Sequence, residues 1–143
     1  MPALLHRSAA HGLVLLLVAA CGGDGGFSPT TENVAGSYSA TTFTATSTAG
    51  TLDLLALGAL VDVTLVTNGT TTGRLLVPGA GEGGGNLDED LTGTWTLSGN
   101  TVTFNQTTAT LIQNAPFTVT QDHLTGDGTF AGQTIHIVLT KHP

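Results

Sequence analysis

Positive charge is nearly missing from this chain. Its 143 residues carry three lysines and arginines against ten aspartates and glutamates, a formal net charge of −7. A protein that grips a phosphate backbone must neutralise several phosphates with Lys and Arg, so nucleic-acid binding is excluded. Cysteine is scarcer still: Cys21 stands alone, and no intrachain disulfide can form. Charged residues make up 9% of the chain and aromatic residues 5%, with Tyr38 and Trp95 the single tyrosine and tryptophan. The longest apolar run, Leu13 to Ala20, covers eight residues. A membrane-spanning helix needs about 20, so that run does not read as a stable span.

Threonine and glycine are what the chain has in quantity, at 27 and 20 residues. Threonine is β-branched and suits a pleated, half-exposed surface, and Gly and Asn punctuate turns. The composition therefore points to an all-β domain whose solvent face is rich in threonine instead of charge. The pattern predicts eight short strands: Tyr38–Ala45, Val61–Thr67, Thr72–Val77, Gly93–Ser98, Thr101–Asn105, Phe117–Thr120, Leu124–Phe130 and Thr134–Thr140. Asn68-Gly69 is a strong hairpin signal, Pro78 stops the third strand, and Gly99-Asn100 turns the fourth into the fifth. Trp95, Leu97, Val102 and Phe104 then share one face of that hairpin, as Val61, Val63 and Leu65 do on the second strand. Eight strands joined mostly by hairpins form an antiparallel meander, and closing it into a small barrel removes its edges. The exception is Thr51 to Leu60, where Leu54, Leu57 and Val61 recur at helical spacing and Gly58 can end a turn. It reads as a short helix or apolar loop closing one barrel end, or as an extension of the second strand.

The run Leu13-Val14-Leu15-Leu16-Leu17-Val18-Ala19-Ala20-Cys21 follows Arg7 and precedes Gly22-Gly23. It resembles the lipobox of a bacterial lipoprotein signal peptide. The resemblance implies cleavage before Cys21, acylation of that cysteine and anchoring in a membrane by its acyl chains, each buried methylene contributing about 0.8 kcal/mol. It also explains a lone thiol in an exported protein, which an ordinary secretory signal would leave incidental. The expected organisation is a signal peptide over 1–20, a lipidated Cys21 with a Gly-rich tether over 21–33, and one barrel domain over 34–143. The cleaved chain keeps Arg74 and Lys141 against ten acids, a net charge of −8. Lipoproteins of enterobacteria with Asp directly after the cysteine are often kept in the inner membrane. Gly22 stands there in this chain, so the outer membrane of the envelope is favoured over the inner.

Val34-Ala35-Gly36-Ser37-Tyr38-Ser39 echoes Leu91-Thr92-Gly93-Thr94-Trp95-Thr96, each an apolar-x-Gly-x-aromatic-x opening to a strand. Gly-x-Trp at a strand mouth, with the meander from Gly36 to Lys141, is similar to bacterial lipocalin-like domains, in which the Trp closes one barrel end. The family places that motif on its first strand, whereas the Trp version here comes mid-chain. The resemblance thus concerns the barrel and carries over no ligand-binding residues.

An eight-stranded barrel is filled by side chains or holds one small ligand. If it holds one, Tyr38, Leu65, Trp95, Phe104, Phe117 and Phe130 would wall the cavity, with the leucines near Leu55 as a lid. The acidic stretch Gly79 to Asp90 places Asp88, Asp90, Thr92 and Gly93 like the first half of a calcium loop. Its twelfth position is Gly99, where a bidentate Glu is required, so a solvated loop is preferred to a site built from Glu82, Asp88, Glu89 and Asp90. His123, His136 and His142 lack zinc-ligand spacing. Ser, His and Asp are all present, but no nucleophile elbow accompanies them. The expectation is a non-enzymatic envelope lipoprotein, without metal or cofactor, that binds a small hydrophobic ligand. The alternative is a structural or interaction lipoprotein with a filled barrel that meets an envelope protein through its threonine-rich face.

Overall fold

The structure, a computed structural model, describes residues 26–143. The expected signal peptide, Cys21 and the first residues of the expected tether lie outside the described residues. A four-residue helix, α1 (Thr31–Val34), precedes ten strands: β1 (Gly36–Ser47), β2 (Gly50–Asp53), β3 (Leu60–Leu65), β4 (Thr70–Val77), β5 (Leu87–Asp90), β6 (Gly93–Ser98), β7 (Thr101–Gln106), β8 (Pro116–Val119), β9 (His123–Phe130) and β10 (Gln133–Lys141). Eight of them close into an antiparallel barrel in the order β1-β3-β4-β6-β7-β8-β9-β10, with β10 pairing back onto β1. The eight predicted strands are the eight barrel strands. β2 and β5 are additional: β2 folds back on the far half of β1, and β5 pairs with the far half of β4.

Alternation of apolar and threonine residues does most of the building. Val61, Val63 and Leu65 of β3 point inward with Ile135, Ile137 and Leu139 of β10, and all six are buried. Trp95 lies opposite Phe104 and Leu97 opposite Val102 across the β6–β7 hairpin, so the predicted shared face is real. Phe104 meets Phe117 edge to face, with ring centroids 5.2 Å apart. β1 alternates only loosely in sequence because it is bulged. Its register with β10 shifts between Ala40 and Thr42, so the inward positions change from Tyr38 and Ala40 to Phe43 and Ala45. One extra residue reverses the faces of everything beyond it.

The two ends of the barrel differ. At one end the connections are tight. Asn68 accepts from the Thr70 amide and hydroxyl, Gly69 and Gly99 have positive φ, and the Thr120 amide donates to His123 O across the β8–β9 turn. α1 covers this end. Thr30 and Asn33 form a capping box, Val34 is buried, and the Tyr38 hydroxyl donates to Val34 O at 2.6 Å. Trp95 donates from its indole N–H to Val66 O beside the β3–β4 turn. Lys141 Nζ holds Asn33 O at 2.7 Å, so residues 30–33, read in sequence as the end of the tether, are fastened to the barrel.

Longer connections gather at the other end: the β1–β2 ribbon, residues 54–59, residues 78–86 and residues 107–115. The stretch read as helix, loop or strand extension divides. Thr51 to Asp53 join β2, and Leu54 to Ala59 make one turn in which Ala59 N–H donates to Leu54 O and Gly58 N–H to Leu55 O. That bond pair is a helix-ending motif, with Gly58 at φ 91° where a side chain is disfavoured. Asp53 accepts from the Leu55 and Ala56 amides at its start. The predicted turn is present, but the pairing with β1 leaves no room for a longer helix.

Candidate functional site

An apolar cleft of about 310 Å³ opens at the loop-rich end of the barrel. Phe43 and Ala45 of β1, Val77 of β4 and Ile135 of β10 form its floor, and Leu54, Leu87 and Leu111 form its sides. Leu52 and Leu57 stand at its rim, 50% and 56% exposed. Phe130 closes the remaining side, next to the two-residue turn Ala131-Gly132, both with positive φ. Pro78, Gly79 and Ala80 line the cleft where β4 ends. Gln133 is the one polar side chain in the lining, and no charged side chain belongs to it. Single exposed apolar residues are ordinary on a protein surface. Two rim leucines above a buried apolar floor are the arrangement in which small-molecule sites are found.

Of the residues expected to wall a ligand cavity, Phe130 lines this cleft and the other five do not. Tyr38, Leu65, Trp95, Phe104 and Phe117 are buried in the common core. A void beside Phe117 measures about 10 Å³, at the lower limit for one water. Gly126 stands opposite Phe117; a Cβ there would come within 2.6 Å of the ring, so the aromatic fills the space that the glycine leaves. The leucines near Leu55, read as a lid, do stand at the mouth. Phe43, Val77, Leu87, Leu111 and Ile135 were not foreseen there. Nothing in their own segments marks them, because the cleft is assembled from six separate parts of the chain.

The acidic stretch is more ordered than a solvated loop. Residues 81–85 make a tight turn, in which Gly81 N–H donates to Gly85 O at 2.8 Å, and Leu87–Asp90 is β5. Three of its four carboxylates, Asp88, Glu89 and Asp90, already have partners. Arg74 grips Asp88 through two nitrogens at 2.7–2.8 Å, which holds the Asp88 carboxyl below its ordinary value. Glu89 accepts from the Leu111 amide at 2.8 Å; burial pushes its pKa up, against the lowering effect of that bond. Asp90 accepts from the Thr92 amide, and bonding to Thr92 lowers its pKa. Among the described residues, no three His, Cys, Asp or Glu side chains come together as a metal would require.

Two histidines gain partners on the outer face. His136 Nδ1 lies 2.7 Å from Asp127. His142 Nε2 lies 2.7 Å from the Ser39 hydroxyl, which itself donates to Asp62. This brings a serine, a histidine and an aspartate together, but with the serine in the middle. A hydroxyl has one proton. With it given to Asp62, His142 is the donor to Ser39, the reverse of a base drawing a proton from a nucleophile. His123 sits exposed at the start of β9.

The chain matches no known protein family, no curated protein and no solved structure. Its barrel and cleft therefore stand on their own geometry.

Proposed function

We propose that this protein is a non-enzymatic envelope lipoprotein, lipocalin-like in its barrel, that binds a small hydrophobic molecule at the open end. The observation that carries the reading is the cleft of about 310 Å³, with an apolar lining and two half-exposed leucines at its rim. Its size falls at the lower end of small-molecule sites, about 300–1,000 Å³. Bound apolar surface is worth roughly 25 cal/mol per Å² removed from water. The ligand sits at the mouth, above a packed interior, and not down the barrel axis.

The proposed anchor and the mouth lie at opposite ends. The chain enters the barrel through Phe27 and α1 at the tight-turn end. From Cys21 to Thr30 a fully extended chain reaches at most about 30 Å. A barrel held by acylated Cys21 would thus be attached at its closed end, leaving the cleft clear of the attachment point.

The filled interior also favours the second reading, a structural lipoprotein that recognises an envelope partner. In that case the hydroxyl pairs Ser37–Thr64, Thr41–Thr140 and Thr46–Thr51, each at 2.8–2.9 Å, ladder a face fit for polar contact. Native mass spectrometry of the full chain, exported and purified gently, separates the two. A bound species of a few hundred daltons supports the binding module. A clean apo mass after incubation with envelope lipid extract refutes it and leaves the filled barrel. Labelling with a fatty-acid analogue that is lost in Cys21→Ser tests the anchor.

A further inference from the structure

We infer that the cleft selects an uncharged, single-chain aliphatic ligand of about ten carbons and rejects the matching carboxylate; this rests on the binding-module reading. The first support is the placement of positive charge. Among the described residues, Arg74 and Lys141 are the only lysine or arginine side chains, and both are engaged elsewhere. Arg74 is clamped on Asp88, and Lys141 reaches Asn33 O at the closed end. His136 faces Asp127 and His142 faces Ser39, both outside the cleft. Among the described residues, no lysine or arginine is left to meet an anionic head group at the mouth.

The second support is what the mouth does contain. Gln133 can donate or accept a hydrogen bond to a hydroxyl or ester but cannot offset a charge. No lining side chain is charged, and the Asp53 carboxylate next to Leu54 is bound to the Leu55 and Ala56 amides. A carboxylate head would therefore lose water without gaining a counter-charge, in a chain whose net charge is −7. Taking an unpaired charge out of water opposes binding. The third support is size. At roughly 30 Å³ per water-sized group, about 310 Å³ accepts roughly ten such groups, matching a medium aliphatic chain.

The test is isothermal titration of the full chain with 1-decanol and with decanoate at neutral pH and low ionic strength. The expected result is that 1-decanol binds at least about tenfold more tightly. Equal or tighter binding of decanoate overturns the selectivity while leaving the binding module standing. Binding of neither overturns both. Leu57→Lys keeps the claim falsifiable in a second way. Position 57 is 56% exposed, so the variant retains the fold and places a cation at the rim. It removes apolar contact from both ligands alike, so the ratio of decanoate to 1-decanol affinity is what it should raise, several-fold. No rise in that ratio would show that charge at the mouth does not govern the choice.

Discussion

Ionising Tyr38 should loosen the closed end of the barrel, and the structure sets the size of the effect. Its hydroxyl donates to Val34 O at 2.6 Å, and its side chain is buried beneath α1. Burial, with a smaller contribution from the Asp122 charge, pushes its pKa from 10 up to about 12. The unfolded chain loses this proton near pH 10 and the folded chain keeps it to about pH 12. Below pH 10 the stabilisation is fully present; between the two values the folded state binds more protons, and stability falls as pH rises. Two pKa units correspond to at most about 2.7 kcal/mol. The hydroxyl sits at the end of the barrel, where solvent screens the charge, which trims the expected loss to about 1–2 kcal/mol. Tyr38 is the only tyrosine, so tyrosinate absorbance of the folded chain reports it alone. Urea unfolding from pH 8 to 12 should show wild type losing its advantage over Tyr38→Phe. That variant starts about 0.5–1.5 kcal/mol less stable at neutral pH because it lacks the bond to Val34. A folded-state midpoint near pH 10, or parallel alkaline losses in the two proteins, would refute the reasoning.

Three further perturbations probe the packing and the acidic strand. Gly126→Ala should cost about 1–3 kcal/mol by chemical denaturation, because the new methyl meets the Phe117 ring; pairing it with Phe117→Leu should recover part of the loss. Gln106 is buried with Nε2 unpartnered while its Oε1 accepts from the Thr110 hydroxyl, so Gln106→Met combined with Thr110→Val should raise the thermal midpoint by a few degrees, for about 1 kcal/mol gained. Burial raises the Glu89 pKa from its ordinary 4.5, so its contribution is present below pH 4.5 and lost as pH rises through the folded value. Glu89→Gln should thus be more stable than wild type at neutral pH and equal to it below pH 4.5, as read by pH-dependent urea unfolding.

Much of the barrel was legible because each strand carries its own signal. The alternation in Val61 to Leu65 and Ile135 to Leu139 needs no knowledge of the partner strand, and Asn68-Gly69 announces its hairpin. β5 was not legible: three consecutive carboxylates argue against a strand. What keeps Leu87–Asp90 extended is tertiary, the pairing with β4, the clamp of Arg74 on Asp88 and the Leu111 amide on Glu89. β2 was hidden for a similar reason, since its four residues are all exposed and pair only with β1. The bulge at Thr41 left a trace, a β1 pattern that fails to alternate cleanly, though its position depends on register with β10. For the candidate site, the six aromatic and aliphatic residues singled out are inward-facing, but packing decides between filler and wall. Of these only Phe130 reaches the cleft, because α1 and the tight turns seal the end near Tyr38 and Trp95 while the long connections leave the other end open.

The central claim, that an apolar molecule binds at the open mouth and not within the barrel, is tested most directly by methyl NMR of the full chain during titration with 1-decanol. The account predicts saturable shifts at Leu52, Leu54, Leu57 and Ile135, with Val63, Val102 and Leu124 unmoved. Shifts concentrated on Val63, Val102 and Leu124, or no saturable shift anywhere, would contradict it.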